Sequence, residues 1–474
     1  MKKGDLIELE ITGYAFEGKG ISKINLENTD KKFTIFVNNS YPGDKVKAVI
    51  KKKKSSYAEA KVEELIDRSN QRVKAECKYF GTCGGCKQQD LDYSFQLKYK
   101  EEQVKEIFER IGGISNFEFL PIIPSENIFF YRNKMEYSFS DKRWLTKGEI
   151  SHNNEVADRN FALGLHIPRI FDKVLDIDEC FLQSEISNKI LNFTRDFFKN
   201  RYSTIYSTKT HTGYLRNLVI KSGFKTKDLM VNLVTSENNE HLFIEYSNGL
   251  VNEIPSITTV INSINEKKAN VAIGDYEKVY FGEGFIYDII GGYKFRISGN
   301  SFFQTNTLQA EKLYQTALDF SELKGNEIVY DLYSGAGTIS IFISENAEKI
   351  YGFESVESAV TDTAINCKLN NIYNVKAFQA DLNKSFLPII EKNKIEKPTL
   401  IIADPPRSGM NPKTVNDIIK LKPEKLTYIS CNPATQARDI KILVENGFKL
   451  KKMRPVDMFP HTYHIENVAL LIQV

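Results

Sequence analysis

The sequence lacks several features that would otherwise set its class. No run of 18 apolar residues occurs, which excludes an ordinary membrane-spanning helix. The opening Met1-Lys2-Lys3-Gly4-Asp5 has none of the apolar core of a secretory signal, so the expected location is the cytoplasm. Six cysteines in 474 residues are too few for a disulfide framework, and a cytoplasmic chain keeps them reduced. A net charge of +3 does not by itself argue for a polyanionic partner. There is one tryptophan, and there is no internal repeat or low-complexity tract. What remains is 41% hydrophobic residues, enough for globular cores, in a chain too long for one of them. Two to four domains are expected.

Along the chain, residues 5–66 read as about five short strands with turns. Leu6-Ile-Glu-Leu-Glu-Ile11 alternates apolar and polar, and Pro42-Gly43-Asp44 is a turn between strands. That pattern predicts a small OB-like β-barrel of a kind that often binds oligonucleotides. Lys51-Lys52-Lys53-Lys54 suits phosphate, although a solvated loop carries such runs too. Residues 67–90 are rich in cysteine and glycine. Leu97, Val104, Ile107, Phe108 and Ile111 then recur at helical spacing up to Gly112-Gly113. From about 126 to 290 the pattern is that of a mixed, mainly antiparallel sheet. From about 295, strands and helices alternate as in a doubly wound, Rossmann-like α/β fold.

Chemistry concentrates at the strand ends of that last region. Asp331-Leu-Tyr-Ser-Gly-Ala-Gly-Thr338 leaves the first strand and opens a helix, where two glycines permit close approach to a ligand. A third glycine is missing, Ser340 or a later residue standing in its place, which disfavours a dinucleotide. Glu354 ends the next strand, Asp381 follows the third, and Asp404-Pro405-Pro406-Arg407 ends the fourth. Each acid alone could be an ordinary loop residue, but as a set they suit S-adenosylmethionine in a class I methyltransferase. Cys431, in Tyr428-Ile-Ser-Cys-Asn-Pro433, falls at the carboxyl end of the fifth strand. There a lone cysteine is more often a small hydrophobe. Pro460-His461-Thr-Tyr-His464-Ile-Glu466 brings a carboxylate on a later loop, with both histidines read as loop support. Cys77, Cys83 and Cys86 could bind zinc or an iron–sulfur cluster, with Cys180 the distant fourth candidate. Cys367 reads as helix packing.

In order, Cys77-x5-Cys83-Gly-Gly-Cys86, Ser301-Phe-Phe-Gln304, Asp331-Leu-Tyr-Ser-Gly-Ala-Gly337, Asp404-Pro-Pro-Arg, Ser430-Cys-Asn-Pro433 and His464-Ile-Glu466 resemble the RNA (uracil-5-)-methyltransferase family, in its iron–sulfur branch with a TRAM barrel. Ser334 departs from the cysteine that many relatives carry there. The resemblance implies a multi-domain chain: a TRAM barrel over 1–66, an iron–sulfur and RNA-binding central domain over 67–91 and 126–290, and a methyltransferase domain over 92–125 and 291–474. It implies that Gln304, Tyr333, Glu354, Asp404 and, more weakly, Asp381 contact S-adenosylmethionine. Cys431 would be the nucleophile and Glu466 the base. Cys77, Cys83, Cys86 and Cys180 would hold a [4Fe–4S] cluster, structural rather than redox-catalytic.

Uracil carbon 5 is a poor nucleophile until a thiolate adds to carbon 6 and makes an enolate, after which a base must remove the carbon 5 proton. RNA cytosine-5 enzymes resemble a pattern with a cysteine directly after the Asp-Pro motif, and Asp404-Pro-Pro-Arg-Ser-Gly409 has none. Amino-methylating enzymes follow Asp-Pro-Pro with an aromatic residue. Radical methylthiotransferases need a C-x3-C-x2-C triad. A non-catalytic RNA-binding module would have lost Cys431, Glu466 or Asp404. For RNA, Phe129-Phe-Tyr-Arg132-Asn-Lys134 interleaves aromatics with cations, Leu215-Arg216 starts another candidate strand, and Phe302 and Phe303 either line the uridine pocket or pack in a core. Bacterial relatives acting on the transfer-RNA T-loop typically lack barrel and cluster, so large-subunit ribosomal RNA is the expected substrate. No obligate protein partner and no membrane contact are expected.

Overall fold

The structure is a computed structural model that describes residues 1–25, 32–151, 159–168, 170–201, 203–268, 272 and 274–474. The amino-terminal unit is one six-stranded sheet whose alternating apolar residues enclose Leu9, Ile11, Ile35, Val37, Val46, Ala48 and Ile50. In the strand Lys45–Lys53, Val46, Ala48 and Ile50 point inward at a period of two, and the alternation ends at a register shift between Ile50 and Lys52, so that Lys51, Lys52 and Lys53 are all exposed. A sixth strand, Gly13–Ala15, beyond the five expected, pairs briefly with Lys19–Ile21.

This barrel does not swing on a tether. Arg72 reaches Asp44 at 2.7 Å and also pairs with Asp90, Tyr41 bonds Asp90 (2.6 Å), and Gln88 donates to the Tyr14 hydroxyl (3.0 Å). The rings of Tyr14, Tyr41 and Tyr99 close the seam.

The central sheet has eight strands in the order Tyr276–Phe281, Thr259–Ile264, Leu229–Thr235, Leu215–Ser222, Lys134–Ser140, Ala162–Ile167, Ile170–Asp176 and Arg143–Trp144. Two of its pairings are parallel and the rest antiparallel. The helices Glu185–Lys199 and Glu240–Glu253 bury Ile190, Leu191, Phe198, Phe243, Tyr246 and Leu250 in its main core. The hairpin Phe285–Ile290 and Tyr293–Ser298 turns at Gly291-Gly292, both with positive φ, as a two-residue turn of this hand demands. The boundary expected at 290/291 therefore falls on a hairpin turn. That hairpin packs Ile286, Ile290, Phe295 and Ile297 against the helix Thr307–Ser321 and against Met230 and Ile261 of the central sheet.

The carboxyl-terminal sheet runs Val375–Gln379, Lys349–Glu354, Ile328–Leu332, Leu400–Ala403 and Lys425–Ser430, all parallel, and then Glu466–Gln473 and Phe448–Val456, the first of these antiparallel to both its neighbours. Glu118–Phe119 adds a parallel edge beside Lys452–Met453. The helix Tyr93–Ile107, capped by Asp92 (2.9 Å to the Ser94 N–H), packs on this unit, and the chain leaves its last turn through Gly113 at φ +64°. The strand order reverses between Ile328–Leu332 and Leu400–Ala403, so a crevice opens at their carboxyl ends. Among the described residues, no helix is long and apolar enough to cross a membrane.

Candidate active site

The turn after the first parallel strand is held from below. Asp331 is fully buried and its Oδ2 accepts the Ser340 N–H (3.1 Å) and hydroxyl (2.6 Å), which starts the following helix. Burial pushes the Asp331 carboxyl up to about 7. Tyr333, Gly335 and Gly337 all have positive φ. A Cβ on Gly337 would meet Thr363 Cγ2 at 2.6 Å, whereas the space beside Gly335 is open. Tyr333 holds a conformation that costs a bulky residue about 1–3 kcal/mol, a strain found where a site is built. Glu354 braces the turn: its Oε2 accepts the Gly335 N–H (3.0 Å) and its Oε1 the Val356 N–H (2.9 Å).

Across the crevice, Asp404 follows Leu400–Ala403. Its carboxyl is pushed up to about 7 by burial and then by Asp331. Cys431 is half-buried between the strand Lys425–Ser430 and the helix Pro433–Glu445, whose cap is Asn432 (3.1 Å to the Ala434 N–H). Burial, then Glu466 and Asp404, push its thiol up to about 12, with Arg407 opposing. Glu466 is buried at the start of the last strand and is raised well above the usual carboxylate range by burial and Asp404, again against Arg407. Arg407 Nη2 lies 3.4 and 3.5 Å from the two ring nitrogens of His464. Burial, and next that cation, hold His464 at about 4, so the ring is neutral at physiological pH. The crevice thus gathers the Cys431 thiol with Asp331, Asp404 and Glu466, and Arg407 opposes the acids at Cys431 and Glu466. Such a site favours a cationic ligand.

Gln304 is half-buried just before Asn306, the cap of the helix Thr307–Ser321. Asn133 fixes its backbone, donating from Nδ2 to the Gln304 carbonyl (2.8 Å) and from its own N–H to Thr305 (2.8 Å). Asp381 stands apart: it is exposed, and its carboxylate is taken up by the Asn383 N–H (3.0 Å) and Lys384 (3.2 Å).

Cys77, Cys83, Cys86 and Cys180 line one cavity with Tyr79, Leu165 and Phe181. Burial raises all four thiols, and the Cys86 thiol further feels Cys180, Cys83 and Cys77. The Gly85 N–H points at Cys83 Sγ (3.3 Å) and Gln89 Nε2 at Cys86 Sγ (3.7 Å). Among the described residues, no three histidine, cysteine or acidic side chains converge as a single metal ion requires.

Several expectations about RNA contact need correction. Arg216 is buried, stacks on Tyr206 at 3.6 Å and donates to the Lys267 carbonyl (2.6 Å), so its strand does not offer a free cation. Phe129 stacks on His461 (4.4 Å) rather than facing solvent, while Phe130 is exposed. Phe303 is core, and Phe302 is 71% exposed beside Gln304. Cys367 is buried in its helix. Sequence reasoning gave no role to Arg407, although it stands inside the quoted Asp-Pro-Pro-Arg motif. Nor did it single out Asn133, within the Arg132-Asn-Lys134 run.

Comparison with known proteins adds to this geometry. The family described as tRNA (Uracil-5-)-methyltransferase matches residues 271–474, and the TRAM domain matches residues 1–62. An uncharacterized RNA methyltransferase of Chlorobaculum tepidum is 41% identical over 471 residues, covering 99% of this chain and 96% of the relative. One from Bacteroides thetaiotaomicron is 42% identical over 462 residues, covering 96% and 99%. The solved tRNA (uracil-54, C5)-methyltransferase of Pyrococcus abyssi, in complex with S-adenosyl-L-homocysteine, superposes with a TM-score of 0.73 at 28% identity, covering 98% of this chain and 100% of that one. The chain belongs to the RNA (uracil-5-)-methyltransferase family and is an RNA methyltransferase with an amino-terminal TRAM domain.

Proposed function

We propose that the protein methylates carbon 5 of a uridine in RNA, with Cys431 as nucleophile and Glu466 as base. The observation that carries this reading is the meeting of Cys431, Asp404 and Glu466, from three neighbouring strands, at one end of the sheet. S-adenosylmethionine supplies an electrophilic methyl on a cationic sulfur. Gln304, Tyr333, Glu354 and Asp404 border the crevice that would hold it, and its cation would relieve the repulsion stored among the acids.

Cys431 carries the first step. Burial, Glu466 and Asp404 hold it as a thiol, so it first gives its proton to solvent, with Arg407 and the start of the helix Pro433–Glu445 favouring the thiolate; the thiolate then adds to carbon 6 of uracil, and the displaced π electrons move onto the 4-oxygen. Carbon 5 then takes the methyl and still bears its hydrogen. Glu466 accepts that proton, the 5,6 double bond re-forms, and Cys431 leaves as thiolate. A carboxylate with raised proton affinity suits this acceptance, worth roughly 10²–10⁴-fold. The uridine must leave its stack to reach the crevice.

The four cysteines are proposed to hold a [4Fe–4S] cluster. A zinc site draws its sulfurs to about 2.3 Å from one point, whereas four thiols spread around one cavity, with N–H groups aimed at sulfur, suit the wider frame of a cluster. When bound it would tie the segment 77–86 to Cys180, away from the reacting atoms.

Ribosomal RNA was expected because barrel and cluster occur together. The Pyrococcus abyssi transfer-RNA enzyme matches 98% of this chain, so chain length and architecture do not by themselves separate the substrates, and transfer RNA stands as a second reading. Mapping 5-methyluridine in ribosomal and transfer RNA from cells with and without the protein tests both. Loss of one or more sites from ribosomal RNA supports the first reading and loss from position 54 of transfer RNA the second. No loss from either pool refutes uridine methylation.

A further inference from the structure

Gln96 lies near the start of the helix Tyr93–Ile107, with no exposed surface and no contact with the crevice groups described above. Its Oε1 accepts the backbone N–H of His461 (2.8 Å). A backbone N–H can only donate, and this fixes which way the amide points. The amide nitrogen then faces the carbonyls of Gln88 (3.0 Å) and Leu91 (2.8 Å) and Nδ1 of His461 (3.3 Å). The His461 carbonyl in turn accepts the N–H groups of Lys87 (2.8 Å) and Gln88 (3.0 Å), the two residues after Cys86. One amide therefore joins the cysteine-bearing segment, the helix and the loop that leads into Glu466.

That loop is stiff. His461 sits at φ +63°, a conformation that persists only where its surroundings over-determine it. Phe129 stacks on its ring, Tyr131 donates to the Pro460 carbonyl (3.1 Å), and the Thr462 hydroxyl donates to Phe459 (2.8 Å) and accepts the His464 N–H (3.2 Å). Ile465 is buried, so the chain from His461 to Glu466 has little room to adjust.

We infer that Gln96 is a positioning residue: by fixing the backbone at His461 it sets where the Glu466 carboxylate stands. This rests on Glu466 being the base. Cys431 and Asp404 stand on other strands, so a loosened loop should impair proton removal more than thiolate addition or cofactor binding. A displacement of about 1 Å can cost on the order of 10²-fold in rate.

The test compares Gln96→Leu, Gln96→Glu and Glu466→Gln with wild type on unmodified substrate RNA. The readouts are turnover, cofactor affinity and the steady-state fraction of RNA in a denaturation-resistant adduct. Gln96→Leu should turn over at least about tenfold more slowly, bind S-adenosylhomocysteine within twofold of wild type, and raise the adduct fraction towards that of Glu466→Gln. Gln96→Glu, buried beside two carbonyls and so a neutral carboxyl, keeps the acceptor for His461 and only one donor, so it should fall between. Both should be trapped by 5-fluorouridine RNA to the wild-type extent, which a misfolded enzyme would not be. If Glu466→Gln traps adduct and neither Gln96 variant raises it, the positioning role is refuted while the base stands. If Glu466→Gln itself traps nothing, the base assignment fails and this inference with it. If Gln96→Leu does not fold, Gln96→Met takes its place, and a wild-type adduct fraction in that variant refutes the role.

Discussion

Removing the carboxylate of Asp457 should destabilise the methyltransferase unit far more than any surface change. Its Oδ1 accepts Lys100 Nζ (2.6 Å), its Oδ2 accepts the Tyr93 hydroxyl (2.8 Å), and both members of the ion pair are essentially without solvent. Tyr93 passes the connection on by accepting the Ser125 N–H (2.7 Å), and Lys100 also donates to the Phe459 carbonyl (3.1 Å). Asp457→Asn leaves a buried ammonium with carbonyl partners only, a change that costs about 3–5 kcal/mol. For a unit of this size each kcal/mol is roughly 2–4 °C, so the melting temperature should fall by about 6–20 °C. Lys100→Met should cost a similar amount, because it strands the carboxylate. The double variant Lys100→Met/Asp457→Leu buries no charge and should lose only about 1–3 kcal/mol, mainly for the Tyr93 hydroxyl. Scanning calorimetry is the right assay, since the single tryptophan, Trp144, is in the central sheet and its fluorescence reports the wrong unit. A double variant that loses the sum of the two singles would refute the coupling.

Cofactor binding should be linked to pH. Asp331 and Asp404 are raised to about 7, so the stability they contribute is full below about 4 and is lost as pH rises through about 7; the cofactor-free protein should weaken over that range. S-adenosylmethionine, a cation, should lower these values and release up to about one proton near pH 7, measured by titration calorimetry in two buffers, whereas neutral-sulfur S-adenosylhomocysteine should release less. Equal release from both would contradict the charge reading of the crevice. Anaerobically purified protein should be brown and carry about four irons per chain; stoichiometric zinc without visible absorption would rule out the cluster. Deleting residues 1–66 would strip Arg72 of Asp44, so the barrel is better tested with Lys51, Lys52 and Lys53 replaced by alanine. RNA affinity should then fall and the salt slope become shallower by up to about 3, with cofactor affinity unchanged; an unchanged slope would exclude these lysines from phosphate contact.

The parts legible in the sequence were those written as local pattern. Alternating apolar residues around Val46 and Ile50 announce a barrel strand, and Asp331 through Gly337 announces a strand, a tight turn and a helix. The position of Asp381 after a strand is legible in the sequence, whereas the N–H and ammonium partners that its own loop supplies, three residues away or fewer, are not. Arg216 misled: a cation early in a strand reads as exposed, yet Tyr206 and Lys267 come from distant segments to bury it. Gln96, Asn133 and Asp457 could not be read at all. The partners that decide their roles lie 171 residues away for Asn133, 357 for Asp457 and 365 for Gln96, and nothing in a polar side chain's neighbours along the chain signals a long-range bond.

Cys431 is proposed to form the covalent bond to the uracil ring. Wild-type protein given S-adenosylmethionine and substrate RNA carrying 5-fluorouridine should stall after methyl transfer, because fluorine cannot leave as a proton. Mass spectrometry of the denatured complex should then find the methylated, fluorinated nucleotide on the peptide containing Cys431, and Cys431→Ala should give no adduct and no methylation. A nucleotide attached through another cysteine, or turnover by Cys431→Ala, would contradict the account.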